Sequence, residues 1–191
     1  CEGEEIITRT WSLTDDCGNT TTHVQIITAA DSTRPTFTAP NDTTIYKDAS
    51  CNFDADPSIT GDVTDEADNC DTSLDATYTD VVVNGSCEGE EIITRTWSLT
   101  DDCGNTTTHV QIITAADSTR PTFTAPNDTT IYKDASCNFD ADPSITGDVT
   151  DEADNCDTSL DATYADVVVN GSCEGEEIIT RTWSLTDDCG N

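Results

Sequence analysis

The chain has 191 residues, with 39 Asp and Glu against seven Lys and Arg, a formal net charge of −32, ten cysteines and no methionine. So acidic a surface repels phosphate, which argues against nucleic acid and anionic membrane as partners. Frequent cysteines without C-x-x-C spacing, beside only two histidines, read as disulfides in an oxidising, extracellular compartment rather than as a metal cluster.

The governing pattern is a repeat. Cys1-Glu2-Gly3-Glu4-Glu5 returns at Cys87 and at Cys173, a period of 86 residues, and residues 1–105 overlay 87–191 with one difference, Thr79 against Ala165. A period this long is a whole domain rather than a solenoid unit. A domain of that size is marginal without cross-links, and four cysteines per copy supply them. Residues 87–172 hold 17 acids against Arg95, Arg120 and Lys133, and 16 threonines.

In chain order, Ala29–Pro35 reads as a short linker, because Pro35 stops sheet pairing. Strands follow at Thr36–Ala39, Thr43–Lys47, Ser58–Val63 and Ala76–Val83. The strongest is Glu91–Thr100, in which Ile93, Trp97 and Leu99 share one face and Thr94, Thr96 and Ser98 the other. A turn at Asp101–Asn105 leads to a strand at Thr107–Ile113, which makes a hairpin with Trp97 in the core. No segment holds a helical period, and turn residues recur about every ten positions, the spacing of an antiparallel sandwich. The expected organisation is the terminal hairpin of one copy at 1–31, a complete copy at 32–117, and a third segment at 118–191 lacking its last strand. With no signal peptide, no apolar run of transmembrane length and a start inside a repeat, the chain reads as a window on a longer array.

Asp31-Ser32-Thr33-Arg34-Pro35, then Asp68-Asn69-Cys70, then Thr96-Trp97 with Thr100-Asp101-Asp102-Cys103-Gly104-Asn105, resembles the hyalin-repeat (HYR-like) domain, in particular the copies in giant surface proteins of Bacteroidota. The resemblance spans essentially the whole chain. It implies an all-β array of tandem immunoglobulin-like antiparallel β-sandwich domains, disulfide-linked, in a cell-surface or adhesin setting.

Within one copy, Cys51, Cys70, Cys87 and Cys103 allow three pairings. Cys87 and Cys103 flank an extended strand about 50 Å long, too far for a disulfide, which needs Cα atoms within about 7 Å; that removes one pairing. The immunoglobulin-like layout implied by the resemblance places Cys70 and Cys103 at one end of the sandwich and Cys51 and Cys87 at the other. The expected bonds are therefore Cys51–Cys87 and Cys70–Cys103, with Cys137–Cys173 and Cys156–Cys189 in the next copy.

That layout also gathers acids. Asp31, Asp65, Asp68, Asn69, Asp101 and Asp102 come from one end of the first complete copy, and Asp117, Asp151, Asp154, Asp187 and Asp188 from the same end of the next. Converging oxygen donors at a domain junction suit Ca²⁺, a hard cation taking six to eight oxygen ligands; without a cation the same residues form a solvated acidic loop. No organic cofactor is expected. N-x-[ST] sequons begin at Asn19, Asn41, Asn84, Asn105, Asn127 and Asn170. The resemblance adds Ser32, Thr43, Ser118 and Thr129 as O-glycan acceptors.

The leading functional expectation is a structural segment of an extracellular fibre or adhesin stalk, whose partners are neighbouring repeats or other copies of the chain. The alternatives are a multivalent module binding carbohydrate or a host or cell-surface protein, which calls for an exposed aromatic cluster, and a pilus-like subunit that polymerises by strand donation. Isopeptide bonds at Lys47 and Lys133 are a further option that disulfides make redundant. An enzyme is not expected: His109 lies on a strand, and no G-x-S-x-G, H-E-x-x-H or P-loop is present.

Overall fold

A computed structural model describes residues 3–191. In chain order the elements are β1 (Glu5–Thr14), β2 (Thr20–Ala29), β3 (Thr36–Thr38), β4 (Thr43–Tyr46), α1 (Pro57–Thr60), β5 (Thr64–Ala67), β6 (Thr77–Asn84), β7 (Glu91–Thr100), β8 (Thr106–Ala116), β9 (Thr122–Thr124), α2 (Pro143–Thr146), β10 (Thr150–Ala153), β11 (Thr163–Asn170) and β12 (Glu177–Ser184). The fold is all-β, with two single-turn helices. Thr, Val and Ile populate these strands because their branched side chains suit a pleated surface.

The chain divides into two compact units. The first comprises Cys1–Thr43, Ala55–Val82 and Ile93–Ile113. Within it β1 and β2 form an antiparallel hairpin in continuous register from Glu5↔Ala29 to Thr14↔Thr20. β3 pairs with β5 as a second, two-stranded sheet of this unit, and a four-stranded sheet of residues from both units has the order β4-β8-β7-β6. Phe37 from β3 meets Trp97 and Leu99 from β7, with Ala39, Val63, Leu74 and Ala76 packed against them, an arrangement consistent with a β-sandwich. Along β7 the alternation is complete: Ile93, Arg95, Trp97 and Leu99 are each at most 1% exposed. Gln111 on β8 is also fully buried. It accepts a hydrogen bond from Trp97 Nε1 at 3.3 Å and donates to the carbonyls of Asn41 and Thr60 at 2.9 and 2.8 Å, so its desolvation is compensated.

The expected strand at Ser58–Val63 is not formed. The Asp56 side chain accepts from Ser58 N at 2.9 Å and Pro57 occupies the first helical position, which sets up the single turn α1. The chain leaves that turn through Gly61 at φ 96° and pairs only from Thr64. Asp142, Pro143 and Gly147 repeat the device in α2.

The second unit comprises Thr44–Asp54, Val83–Ile92 and Thr114–Asn191. β9 pairs with β10, and β11 with β12 from Thr163↔Ser184 to Asn170↔Glu177. Residues 44–54 and 83–92 belong by sequence to the preceding copy, so this compact unit crosses the sequence period.

Candidate functional site

Two disulfides lie in the second unit. Cys51 bonds Cys156 with a Cα–Cα distance of 5.1 Å, and Cys87 bonds Cys189 at 5.2 Å, over sequence separations of 105 and 102 residues. This corrects the expected pairing: Cys51–Cys87, Cys70–Cys103, Cys137–Cys173 and Cys156–Cys189 are not formed. Cys103 is disulfide-bonded, while Cys17, Cys70, Cys137 and Cys173 are free. The physical reason is where the loops go. Loops 47–54 and 83–92 pack with the following copy, so each of their cysteines meets one in the next copy rather than one in its own. The position of Cys51 joins the next copy's equivalent of Cys70, and the position of Cys87 joins the next copy's equivalent of Cys103.

Local geometry makes those meetings possible. Gly89 adopts φ +99°, and a Cβ there would lie 2.7 Å from Cys156 Cβ; only glycine permits that approach. Glu88 N donates to Asp188 Oδ2 at 2.7 Å, and Asn155 Nδ2 donates to the Asp48 carbonyl at 3.0 Å. Lys47, 8% exposed, pairs with Glu91 and lies 3.6 Å from Cys51 Sγ.

The acids sort into members and non-members. Carboxylate oxygens of Asp31, Asp68 and Asp101 lie within 4.8 Å of one another, and those of Asp117, Asp154 and Asp187 do the same. Asp65 and Asp151 are in neither group. Both are exposed at φ 57° and accept from the hydroxyls of Thr64 and Thr150. Asp102 and Asp188 are also outside, and Asp188 serves the Glu88 amide instead. Asn69 reaches Asp31 Oδ1 at 3.3 Å.

In the second unit, Asp187 is fully committed: its oxygens accept from the Asn191 backbone at 2.8 Å and the Asn191 side chain at 2.9 Å. Asp117 and Asp154 are committed through one oxygen each, from Thr119 N at 3.0 Å and from Cys156 N at 2.8 Å. Their other oxygens, Asp117 Oδ2 and Asp154 Oδ2, are buried without a hydrogen-bond partner, and Asp68 Oδ1 repeats the pattern in the first unit. Asp117 is only 8% exposed. An unpartnered buried carboxylate oxygen is costly. Unit charges this close repel by on the order of 3–4 kcal/mol per pair at an effective dielectric of about 20. An all-oxygen pocket with spare lone pairs fits a hard divalent cation. In the first unit, partial burial and then the carboxylates of Asp31, Asp68 and Asp101 push the Cys70 thiol pKa up, whereas the Thr33 amide chiefly holds that of Asp31 down.

Sequence reasoning missed two sets of residues. Asp71 and Asp157, 5% and 6% exposed, accept at 3.0 Å from Asp102 N and Asp188 N and so brace one loop on the other. Arg95, 1% exposed, donates to both Asp80 oxygens at 2.8 Å, to Thr60 Oγ1 at 2.8 Å and to the Ala55 carbonyl at 2.6 Å. Its guanidinium lies over Tyr78 at 4.2 Å, and Arg181 repeats the node with Asp166, Thr146 and Ala141. The only available signal was parity, since position 95 shares a face with Ile93 and Trp97.

Of the sequon asparagines, Asn19, Asn41, Asn84, Asn127 and Asn170 are exposed and Asn105 is half-buried. The Asn105 amide is engaged by Asp101 Oδ2 at 2.7 Å and the Asn19 amide by Asp15 Oδ2 at 2.8 Å. Ser32, Ser118 and Thr129 are exposed, and Thr43 is half-buried. Among the described residues no helix is long and apolar enough to cross a membrane. Comparison with models of known protein families and with curated proteins finds no match to the chain.

Proposed function

We propose that this chain is a structural repeat segment of an extracellular surface fibre or adhesin stalk, of the hyalin-repeat (HYR-like) kind its motifs resemble. The observation that carries this reading is the disulfide register. Cys51–Cys156 and Cys87–Cys189 both tie the copy at 32–117 to the one that follows it, so force along the chain would pass through covalent bonds at that boundary. Disulfides belong to oxidising compartments. Glycans at the exposed acceptors would shield such a strand from proteases.

The aromatic residues favour a strut over a multivalent binder. In the complete copy Phe37 and Trp97 are buried and Phe53 is half-buried, while Tyr78 stacks under Arg95; Tyr46, 66% exposed, stands alone. Ca²⁺ is the cofactor proposed for Asp31, Asp68 and Asp101 and for Asp117, Asp154 and Asp187, where it would neutralise three carboxylates and engage their spare oxygens. Calorimetry after chelation is the check: binding of Ca²⁺ at two sites is expected, of which Asp117→Asn with Asp154→Asn removes one and Asp31→Asn with Asp68→Asn the other, and absence of heat ends the proposal. For the fibre, electron microscopy of native material is expected to show beaded threads, and dispersed globules would overturn the reading.

Strand donation is a second reading, favoured by one observation. Along β12 lies a groove of about 900 Å³ bordered by Asn127, Thr146, Ile179, Arg181 and Trp183. A peptide with the sequence of Thr106–Ala116 is expected to bind there and quench Trp183; unchanged fluorescence excludes it.

A further inference from the structure

The two edges of the four-stranded sheet are finished differently. At one edge β4 is four residues long, Pro40 and Asp42 precede it, and Asp42 Oδ1 takes the Ile112 amide of β8 at 2.7 Å. Short length, proline and charge keep a sheet edge from pairing with another chain. At the other edge β6 has none of these guards. It runs for eight residues, Thr-Tyr-Thr-Asp-Val-Val-Val-Asn, all exposed and without proline or lysine. Valine, threonine and tyrosine are the residues that favour a strand. Its one charge, Asp80, is turned to the core side, where Arg95 holds both carboxylate oxygens at 2.8 Å.

The open edge belongs to the repeat rather than to one place in the chain. β6 lies in a copy that another copy follows, and its equivalent β11 lies in a copy that another precedes. Val81, Val82 and Val83 are 63, 51 and 53% exposed, and Val167, Val168 and Val169 are 63, 49 and 51% exposed. Arg181 holds Asp166 as Arg95 holds Asp80. The strip is equally open whichever side the neighbouring repeat is on.

We propose that β6 and β11 are lateral pairing edges for the same strands of a second copy of this chain, so that chains join side by side by antiparallel strand addition. A second copy is the occupant because the strand is complementary to itself. Tyr78 and Asp80 face Trp97 and Arg95, so Thr79, Val81 and Val83 face outward. Antiparallel pairing centred on Val81 sets Val81 against Val81, Thr79 against Val83 and Asp80 against Val82. Directly opposed residues share a face, so outward residues meet only outward residues and no acid meets an acid. The register one step away opposes Asp80 to Asp80, and like charges directly opposite are destabilising. The contact uses one patch on both partners and closes on a two-fold axis. Charge selects the same place, because a chain of net charge −32 repels its own copies and the outward side of this strand carries none. One strand pair about 27 Å long falls short of the roughly 1,200 Å² of a standard interface, so a single contact is weak. An array offers such an edge every 86 residues, and linked weak contacts add as avidity. This deepens the fibre reading by naming the contact between fibres, and it rests on that reading only for the avidity. Threads that never pair laterally would defeat this inference alone, and paired edges without threads would defeat the fibre alone.

The test is hydrogen exchange on the full-length chain with its disulfides intact, dilute in about 0.01 M salt and concentrated in about 1 M salt, which screens the like charge. Amides of β6 and β11 that point away from β7 and β12 are expected to exchange about tenfold more slowly in the concentrated sample, while β4 is unchanged. Val81→Lys with Val167→Lys sets ammonium groups opposite one another at exposed positions and is expected to abolish the slowing. Thr79→Lys with Ala165→Lys is expected to do the same at a second outward position, and unchanged protection of β7 verifies folding in both. Val110→Lys, on β8 and 57% exposed, is expected to keep the slowing, because β7 separates it from the edge. Unchanged exchange in β6 and β11, or slowing that survives both edge variants, would overturn the proposal. So would its loss in Val110→Lys, which would mean that sheet faces stack instead.

Discussion

β1 and β7 have the same ten residues, Glu-Ile-Ile-Thr-Arg-Thr-Trp-Ser-Leu-Thr, and different fates. Trp11 is 57% exposed and Leu13 78%, whereas Trp97 is 1% exposed and Leu99 is fully buried. Both strands form hairpins, and both tryptophans donate to the glutamine across the hairpin, Trp11 to Gln25 at 3.1 Å and Trp97 to Gln111 at 3.3 Å. Strand identity and hairpin register are thus local properties of the sequence. Burial is not: it comes from residues 35–84, which bring Phe37, Val63, Leu74 and Tyr78 against β7. One sequence is core in β7 and surface in β1 according to what packs on it.

The largest break in this equivalence is expected at the tryptophans. Trp97→Ala removes a fully buried side chain and is expected to cost about 4–5 kcal/mol, whereas Trp11→Ala lies close to zero. Urea denaturation of the two variants decides it, and equal losses would show that β1 shares a core after all. Next comes the disulfide register. Cys156→Ser opens a bond spanning 105 residues and is expected to cost about 3 kcal/mol, below the full loop-entropy value because the second bond already limits the unfolded chain. Cys70→Ser, at the same position of the preceding copy, is expected to leave the thermal midpoint unchanged. The arginines follow. Arg95→Ala strands Asp80 and the Thr60 and Ala55 acceptors and is expected to cost about 2–3 kcal/mol, reduced from a fully buried pair because Asp80 remains 27% exposed. Arg9→Ala is expected to cost less than about 0.5 kcal/mol, the ordinary range for a surface site.

These contrasts mark what could be read before the structure. β6, β7, β8 and the β7–β8 turn were legible because alternation and Asp/Gly punctuation are short-range signals. The expected strand at Ser58–Val63 failed on local chemistry that was also present, the Asp56 cap with Pro57 behind it, which outweighed the β-branched residues nearby. Asp31, Asp68 and Asp101 were placed at one end by topology, and they do converge. Asp65 and Asp102 share that end in the same layout and stay outside the cluster, because a loop position does not fix where a side chain ends up. The disulfides failed for a different reason. Identical copies make every cysteine position ambiguous by a multiple of 86 residues, so the pairing of the Cys51 position with that of Cys70 and of Cys87 with that of Cys103, excluded within one copy by the length of β7, forms between one copy and the next. Arg95 was hidden because a charged residue at a core-facing parity is resolved only by its partners.

The smallest expected effect separates the two copies of the cysteine loop by acid. Asn138 N and then Ser136 N hold the Asp134 pKa below its ordinary value, and Asn52 N and then Ser50 N do the same for Asp48. A carboxylate with a depressed folded-state pKa contributes stability that is fully present above the unfolded value of about 3.9 and disappears as pH falls through the lower folded value. Both loops therefore lose the same hydrogen bonds in the same acidic window. The Cys51 loop stays tied to Cys156 when they go, and the Cys137 loop is left with its backbone bonds, Asp134 N to the Asn138 carbonyl at 2.8 Å and Cys137 N to the Asp134 carbonyl at 3.0 Å. Amide shifts of Ser136 and Asn138, followed by NMR from about pH 6 down to about pH 2, are expected to reach disordered values while Ser50 and Asn52 remain dispersed. Simultaneous collapse of both loops would mean that Asp48 rather than the disulfide holds the bonded loop.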